Sequence, residues 1–262
     1  MYLALAVAGF RTEASFRAQF WFLLLSGVLN VVARVSIWQS VFQHGTGSAD
    51  ISLPQMVTYA ILGATVFSTW EASQLVREMG ADIRSGNVVS HLMRPASYPV
   101  SLMARLIGGR AHETLLIGLP VAVVMGAVYG FQPPASLGHA LLFALSVALS
   151  LFLLFTLATA VATIGFWVMD TLALDWFLRG TLALFSGGLV PLWFYPDGVA
   201  NAVHHLPFAW IAFYPLAIYL GQLDLMESVV TLLYGLGWAV ASAGLLALLW
   251  RAACRRMVVQ GG

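Results

Sequence analysis

Residues 137–167 read LGHALLFALSVALSLFLLFTLATAVATIGFW, a stretch without a single Asp, Glu, Lys or Arg. An α-helix needs about 20 mostly apolar residues to cross roughly 30 Å of hydrocarbon. This run is long enough to cross with tilt or to pass beyond the bilayer, leaving it near Asp170. Working outward, five more runs qualify at 20–42, 55–76, 114–131, 176–194 and 228–250, separated by charges or by Pro/Gly clusters. The whole chain agrees with them, since 60% of it is apolar, only 9% is charged and the mean hydropathy is +0.88. Soluble domains carry about 25% charged residues, so an ordinary soluble domain is excluded. The expected fold class is all-α integral membrane, with six transmembrane helices in one domain covering 1–262.

Basic residues fix the orientation. All 12 are Arg, and the absence of Lys removes both a phosphate-loop lysine and a Schiff-base lysine. A net charge of +1 offers no basic field for nucleic acid, and Cys254, the single cysteine, forms no intrachain disulfide. Cytoplasmic loops retain Arg. Six crossings place Arg11, Arg17, Arg77, Arg84, Arg94, Arg105, Arg110, Arg179, Arg251, Arg255 and Arg256 on one side, while loops 43–54, 132–136 and 195–227 hold none. Both termini are therefore expected in the cytoplasm. The apolar run 206–223 could nominally span, but crossing there would export the C-terminal arginines and set Pro215 in mid-membrane. A re-entrant hairpin is expected instead, entering from the outer face after Pro196-Asp197-Gly198 and leaving near Gly221-Gln222, enclosed by protein or a water-filled cavity. Residues 1–19 lack the basic start and cleavage site of a signal peptide. They suit an interfacial helix, with Arg11, Glu13 and Arg17 toward water and Leu3, Ala6, Phe10 and Ala14 toward lipid.

Ionisable groups at membrane depth are costly and mark candidate sites. Arg34, in the first run with Trp38 beside it, and Glu71, near the cytoplasmic end of the second and next to Trp70, could pair across two antiparallel helices or each reach an interface. Residues 77–99, REMGADIRSGNVVSHLMRPASYP, are too polar to span. Ser85-Gly86-Asn87 breaks a helix there, Val88, Val89, Leu92 and Met93 offer apolar groups, and Arg94-Pro95 ends the element. Such a segment serves as a docking surface or as an amphipathic helix on the inner leaflet. Phe185 and the aromatic block 190–219, with Trp193, Phe208 and Trp210, suit an amphipathic or cationic ligand on a translocation path, and equally an outer interfacial belt. Enzyme motifs fail: His112-Glu113 lacks the second histidine of a zinc-protease helix, and Ser186-Gly187-Gly188 lacks a nucleophile elbow. His204-His205 near Asp197 could serve an intramembrane lipid-modifying enzyme, and Arg34 with Glu71 could gate an ion-coupled transporter or channel. The latter would bring inverted repeats, and none is visible.

IRSGNVVSHLMRPASYP at 83–99, FSGGLVPLWFYP at 185–196, the later LPF and YPLAIYLG, and the arginine-rich end closing in Gly261-Gly262 together resemble an ABC-2-type transporter permease over nearly the whole chain. The resemblance implies an exporter of the bacterial cytoplasmic (inner) membrane. In such a permease, Arg84, Ser85, Gly86, Asn87, Leu92, Met93, Arg94 and Pro95 form the coupling helix that inserts into a separate ATPase. It further implies two ATPase copies carrying ATP and Mg, a second permease, identical or a sister chain, and no cofactor within this one.

Overall fold

A computed structural model describes residues 1–13, 17–45, 51–70, 72–92, 96–168 and 171–259, and every regular element among them is helical. Helix α1 (Tyr2–Glu13) precedes α2 (Arg17–Gln43), and α3 (Leu53–Leu62) runs on through a π-helical turn at Gly63–Phe67. After a break, α4 (Ser73–Ser85) and the short α5 (Val88–Leu92) lead to α6 (Tyr98–Glu113). A second π-helical turn, Thr114–Gly118, joins α6 to α7 (Leu119–Tyr129). Then come α8 (Leu137–Thr163), α9 (Thr171–Phe185), α10 (Asp197–His204), α11 (Phe213–Tyr219) and the long α12 (Leu225–Val259).

Among the described residues, four helices are long and apolar enough to cross a membrane by themselves: Phe20–Gln43, Tyr98–Tyr129, Leu137–Phe166 and Leu225–Arg256. Two of the six expected spans are shorter than their apolar runs. The run 55–76 stops being helical at Phe67, where the hydroxyls of Ser68 and Thr69 bond back to the carbonyls of Ala64 and Val66 and compete with the helix ladder. The run 176–194 begins earlier, at Thr171, and ends at Phe185, because Gly187 adopts a left-handed φ of 75° and Pro191 follows. Both are tied to neighbouring segments near their two ends. Thr58 on α3 accepts the Gln132 amide in the α7–α8 loop, whereas Thr69 and Trp70 beyond its far end bond Thr114. Thr171 and Asp175 on α9 meet α4, whereas Ser186 accepts the Phe213 amide.

Central α8 packs against α4, α6, α9, α11 and α12. Its buried Ser150, Thr159 and Thr163 hydroxyls bond carbonyls one turn back, whereas the buried Thr156 hydroxyl on the same helix has no hydrogen-bond partner. Between membrane helices, hydrocarbon offers no hydrophobic drive, and small residues allow close packing. Ala158 and Ala162 on α8 are fully buried. Helix α1 shows the same logic: a methyl group at Gly9 would overlap the Arg105 carbonyl, and one at Gly108 would overlap that of Ala6. This corrects the expected lipid face of α1. Ala6 and Phe10 turn toward α6, with the Phe10 ring edge-on to His112 at 4.9 Å, while Leu3 and Val7 are exposed. Ala14 and the side chains of Glu13 and Arg17 lie outside the described residues, as does Asp170.

The run 206–223 forms no long helix. A 3₁₀ turn at Pro207–Trp210 and the short α11 fold into the protein, and Ala209 to Leu220 are almost wholly buried. Neighbours satisfy its broken backbone, since Ser150 donates to the Trp210 carbonyl at 2.6 Å and Ala135 donates to that of Tyr219 at 3.2 Å.

Candidate functional site

At one end of the bundle, α4 acts as a strut. Arg77 donates to Asp175 on α9 at 3.2 Å, and Arg84 donates to the Thr171 hydroxyl on the same helix. Toward α6, Glu78 pairs with Arg105, and Gln74 accepts from Arg110 at 3.0 Å. Asp175 is buried and also bonds Arg179 at 3.4 Å, so one carboxylate serves two guanidinium groups. Helix α4 ends at Gly86, whose φ of 76° places it in the left-handed region that favours glycine. The Ser85-Gly86-Asn87 turn is exposed. Helix α5 is anchored from behind by buried Val88, by His91 lying 3.8 Å from Asp82, and by stacking of His91 on Tyr98, whose hydroxyl donates to Asp82. Val89 and Ser90 point outward. Met93, Arg94, Pro95 and the Leu92 side chain lie outside the described residues.

Deeper in the bundle, the break after α9 is closed by side chains from α2 and α3. Arg34 donates to the Gly188 carbonyl and to Asn30, and the Tyr59 hydroxyl donates to the Gly187 carbonyl at 2.7 Å. A cation at a helix C-terminus complements the negative end of the macrodipole, and each captured carbonyl is one fewer unpaired acceptor in hydrocarbon. Arg34 and Trp70 line a cavity of about 250 Å³ between α2, α3, α8 and α9. The expected partner of Arg34, Glu71, lies outside the described residues.

At the other end, aromatic rings replace ion pairs. Trp38 packs on Phe194 at 4.7 Å, Trp193 on Phe213 at 4.8 Å, Trp210 on Tyr214 at 4.5 Å and Phe185 on Phe208 at 6.2 Å. The Trp210 indole donates to the Thr231 carbonyl on α12 at 2.8 Å, which ties the folded-in segment to the last helix. Between them opens a pocket of about 830 Å³, within the range that holds small-molecule ligands. Trp193 and Trp210 line it; Trp38, Phe185 and Phe208 stand outside its lining. His204, also in the wall, lies 3.0 Å from the Tyr214 hydroxyl. Burial, and then the neighbouring His205, lower its pKa from the ordinary imidazole value. Asp197 and His204 sit at opposite ends of α10, about 10 Å of helix apart. Among the described residues, no group of three His, Cys, Asp or Glu is arranged to hold a metal ion.

With this geometry in view, the family model described as ABC-2 family transporter protein matches residues 28–261. The chain belongs to that family. Comparison with curated proteins returns no match. Membership makes this ABC-2 protein a multi-pass membrane protein and a transport permease rather than an enzyme, and it implies association with an ABC ATPase.

Sequence reasoning missed the ABC-2 chain's buried ion pair. Arg110 and Glu113 on α6 pair with both side chains at most 10% exposed, and they border a polar cavity of about 390 Å³ flanked by the two π-helical turns. The i,i+3 spacing was a visible signal. It was passed over because the third span was expected to begin at Thr114, which left both residues in a cytoplasmic loop.

Proposed function

We propose that this chain is the membrane-spanning permease subunit of an ATP-driven exporter of the bacterial cytoplasmic (inner) membrane, a single permease domain over 1–262 with six crossings and both termini cytoplasmic. The arginines support the count. If only the four longest helices crossed, Arg77, Arg84 and Arg179 would face the side opposite Arg251 and Arg255. With α3 and α9 also crossing, Arg77 and Arg84 share one face with Arg251 and Arg255, and Arg179 falls within α9 itself. The segment 206–223 then enters and leaves from the outer side as a re-entrant hairpin.

One observation carries the reading: the exposed Ser85-Gly86-Asn87 turn stands on a helix bonded to both α6 and α9. A partner pressing on that turn moves two membrane helices together, which is what a coupling element requires. Arg84, Ser85, Gly86, Asn87, Leu92, Met93, Arg94 and Pro95 form the ATPase-facing segment. Two ATPase copies bind ATP and Mg, a second permease, identical or a sister chain, completes the pathway, and closure of the ATPases tilts the bundles as rigid bodies. Arg34, Trp38, Trp70, Glu71, Phe185, Trp193, Phe208 and Trp210 belong to the translocation path, with Arg34 setting the shape of the broken segment.

The test reconstitutes the permease with a partner ABC ATPase and measures ATP hydrolysis and transport together. Gly86→Val and Arg94→Ala are expected to retain membrane insertion and hydrolysis while transport falls at least tenfold. Normal transport in both variants removes the coupling assignment. Labelling of Cys254 only from outside the cell would overturn the topology.

A further inference from the structure

The outer pocket, on the reading above part of an exporter, has an unusual charge inventory. Five of its walls are Trp193, Trp210, Tyr214, Tyr234 and Trp238, and Glu227 is the only Asp, Glu, Lys or Arg among the lining residues. Every arginine lies elsewhere. His204 and His205 also stand in the lining, and burial lowers the pKa of His204 from the ordinary imidazole value. Aromatic faces carry negative quadrupoles that attract a cation within about 6 Å, and the attraction grows where water is displaced. A carboxylate at the rim adds a long-range pull that the ring faces lack. An anionic ligand would meet Glu227 without any guanidinium to offset it, and a strongly hydrated small cation would gain little from the rings.

We propose that this pocket binds a lipophilic organic cation, a molecule with a delocalised or alkyl-shielded positive charge and apolar substituents. Its apolar parts lie against the rings of Trp193 and Trp210, and its charge lies toward Glu227 and the more exposed Tyr234. Glu227 sits at the start of α12, where its carboxylate accepts the Asp224 amide at 3.1 Å while Asp224 accepts the Glu227 amide at 2.7 Å. Gln at this position keeps an acceptor for that reciprocal cap and removes only the charge.

Equilibrium dialysis of the purified full chain in lipid nanodiscs, with tetraphenylphosphonium as the cation and triphenylphosphine oxide as a neutral analogue, tests the proposal. Saturable binding of the cation is expected, weakened about tenfold in Glu227→Gln, with binding of the neutral analogue unchanged. Tyr234→Leu should weaken the cation about threefold to fivefold, and Tyr234→Phe, which keeps the ring, should restore it. Equal binding of the cation and the neutral analogue, or an unaltered cation curve in Glu227→Gln, overturns the proposal. Binding is read without the ATPase, so failure here leaves the coupling assay untouched, and failure of ATPase assembly leaves the binding curve standing.

Discussion

The two ends of the bundle are held by different forces. At the arginine-bearing end, α4 is bound to α6 and α9 through Arg105–Glu78, Arg110–Gln74, Arg77–Asp175 and Arg84–Thr171, and α1 lies backbone to backbone on α6. At the opposite end, tryptophan, tyrosine and phenylalanine rings surround a pocket, and few charges are present. Directional bonds between three helices define one arrangement and pass on displacement. Ring packing is adaptable, because contact area tolerates sliding. On the proposed function, the stiffer end would receive force and the adaptable end would accommodate cargo.

Substitutions can break this contrast. The largest effect is expected from Gly108→Leu, whose side chain would enter the space of the Ala6 carbonyl. Overpacking costs about 1–3 kcal/mol or more. Helix α1 should separate from α6, read as protease sensitivity of the N-terminal segment and a lowered Tm. Next comes Arg34→Leu, which leaves the Gly188 carbonyl without its donor, a loss of about 1–3 kcal/mol. Tyr59→Phe should act alike on the Gly187 carbonyl. In both, hydrogen exchange should rise across residues 186–191 while the α4 amides stay protected. If exchange rises in α4 instead, the two ends are not separate units. Smallest is Asp175→Asn. Its partners Arg77 and Arg179 are 48% and 41% exposed and can return to water, so stability should fall by less than about 1 kcal/mol in a Tm measurement, with the outer pocket unchanged. A larger fall would show that the strut, rather than the packing, holds the inner end.

Much of the architecture was legible before the structure. The apolar runs marked the helices to within a few residues at 20–42 and 137–167, because burial in hydrocarbon is set by composition alone. The Gly86 break was legible as well, since a left-handed turn has few other occupants. Arg34 was recognised as costly, but its partner was not, because Gly188 lies 154 positions away and presents only a backbone carbonyl. No side-chain pattern announces such a bond. The aromatic block was visible as a group, yet the pocket needed α12 as its second wall, and Tyr234 and Trp238 lie outside the block.

The sequence by itself determined the solvent: an apolar, lysine-free chain partitions into a bilayer, and most of its arginines fall between the apolar runs because burying them in hydrocarbon is costly. Tertiary structure decided which polar groups meet inside. In hydrocarbon, every unpaired carbonyl or guanidinium must find a partner wherever the fold brings one, and that choice is made by geometry in three dimensions.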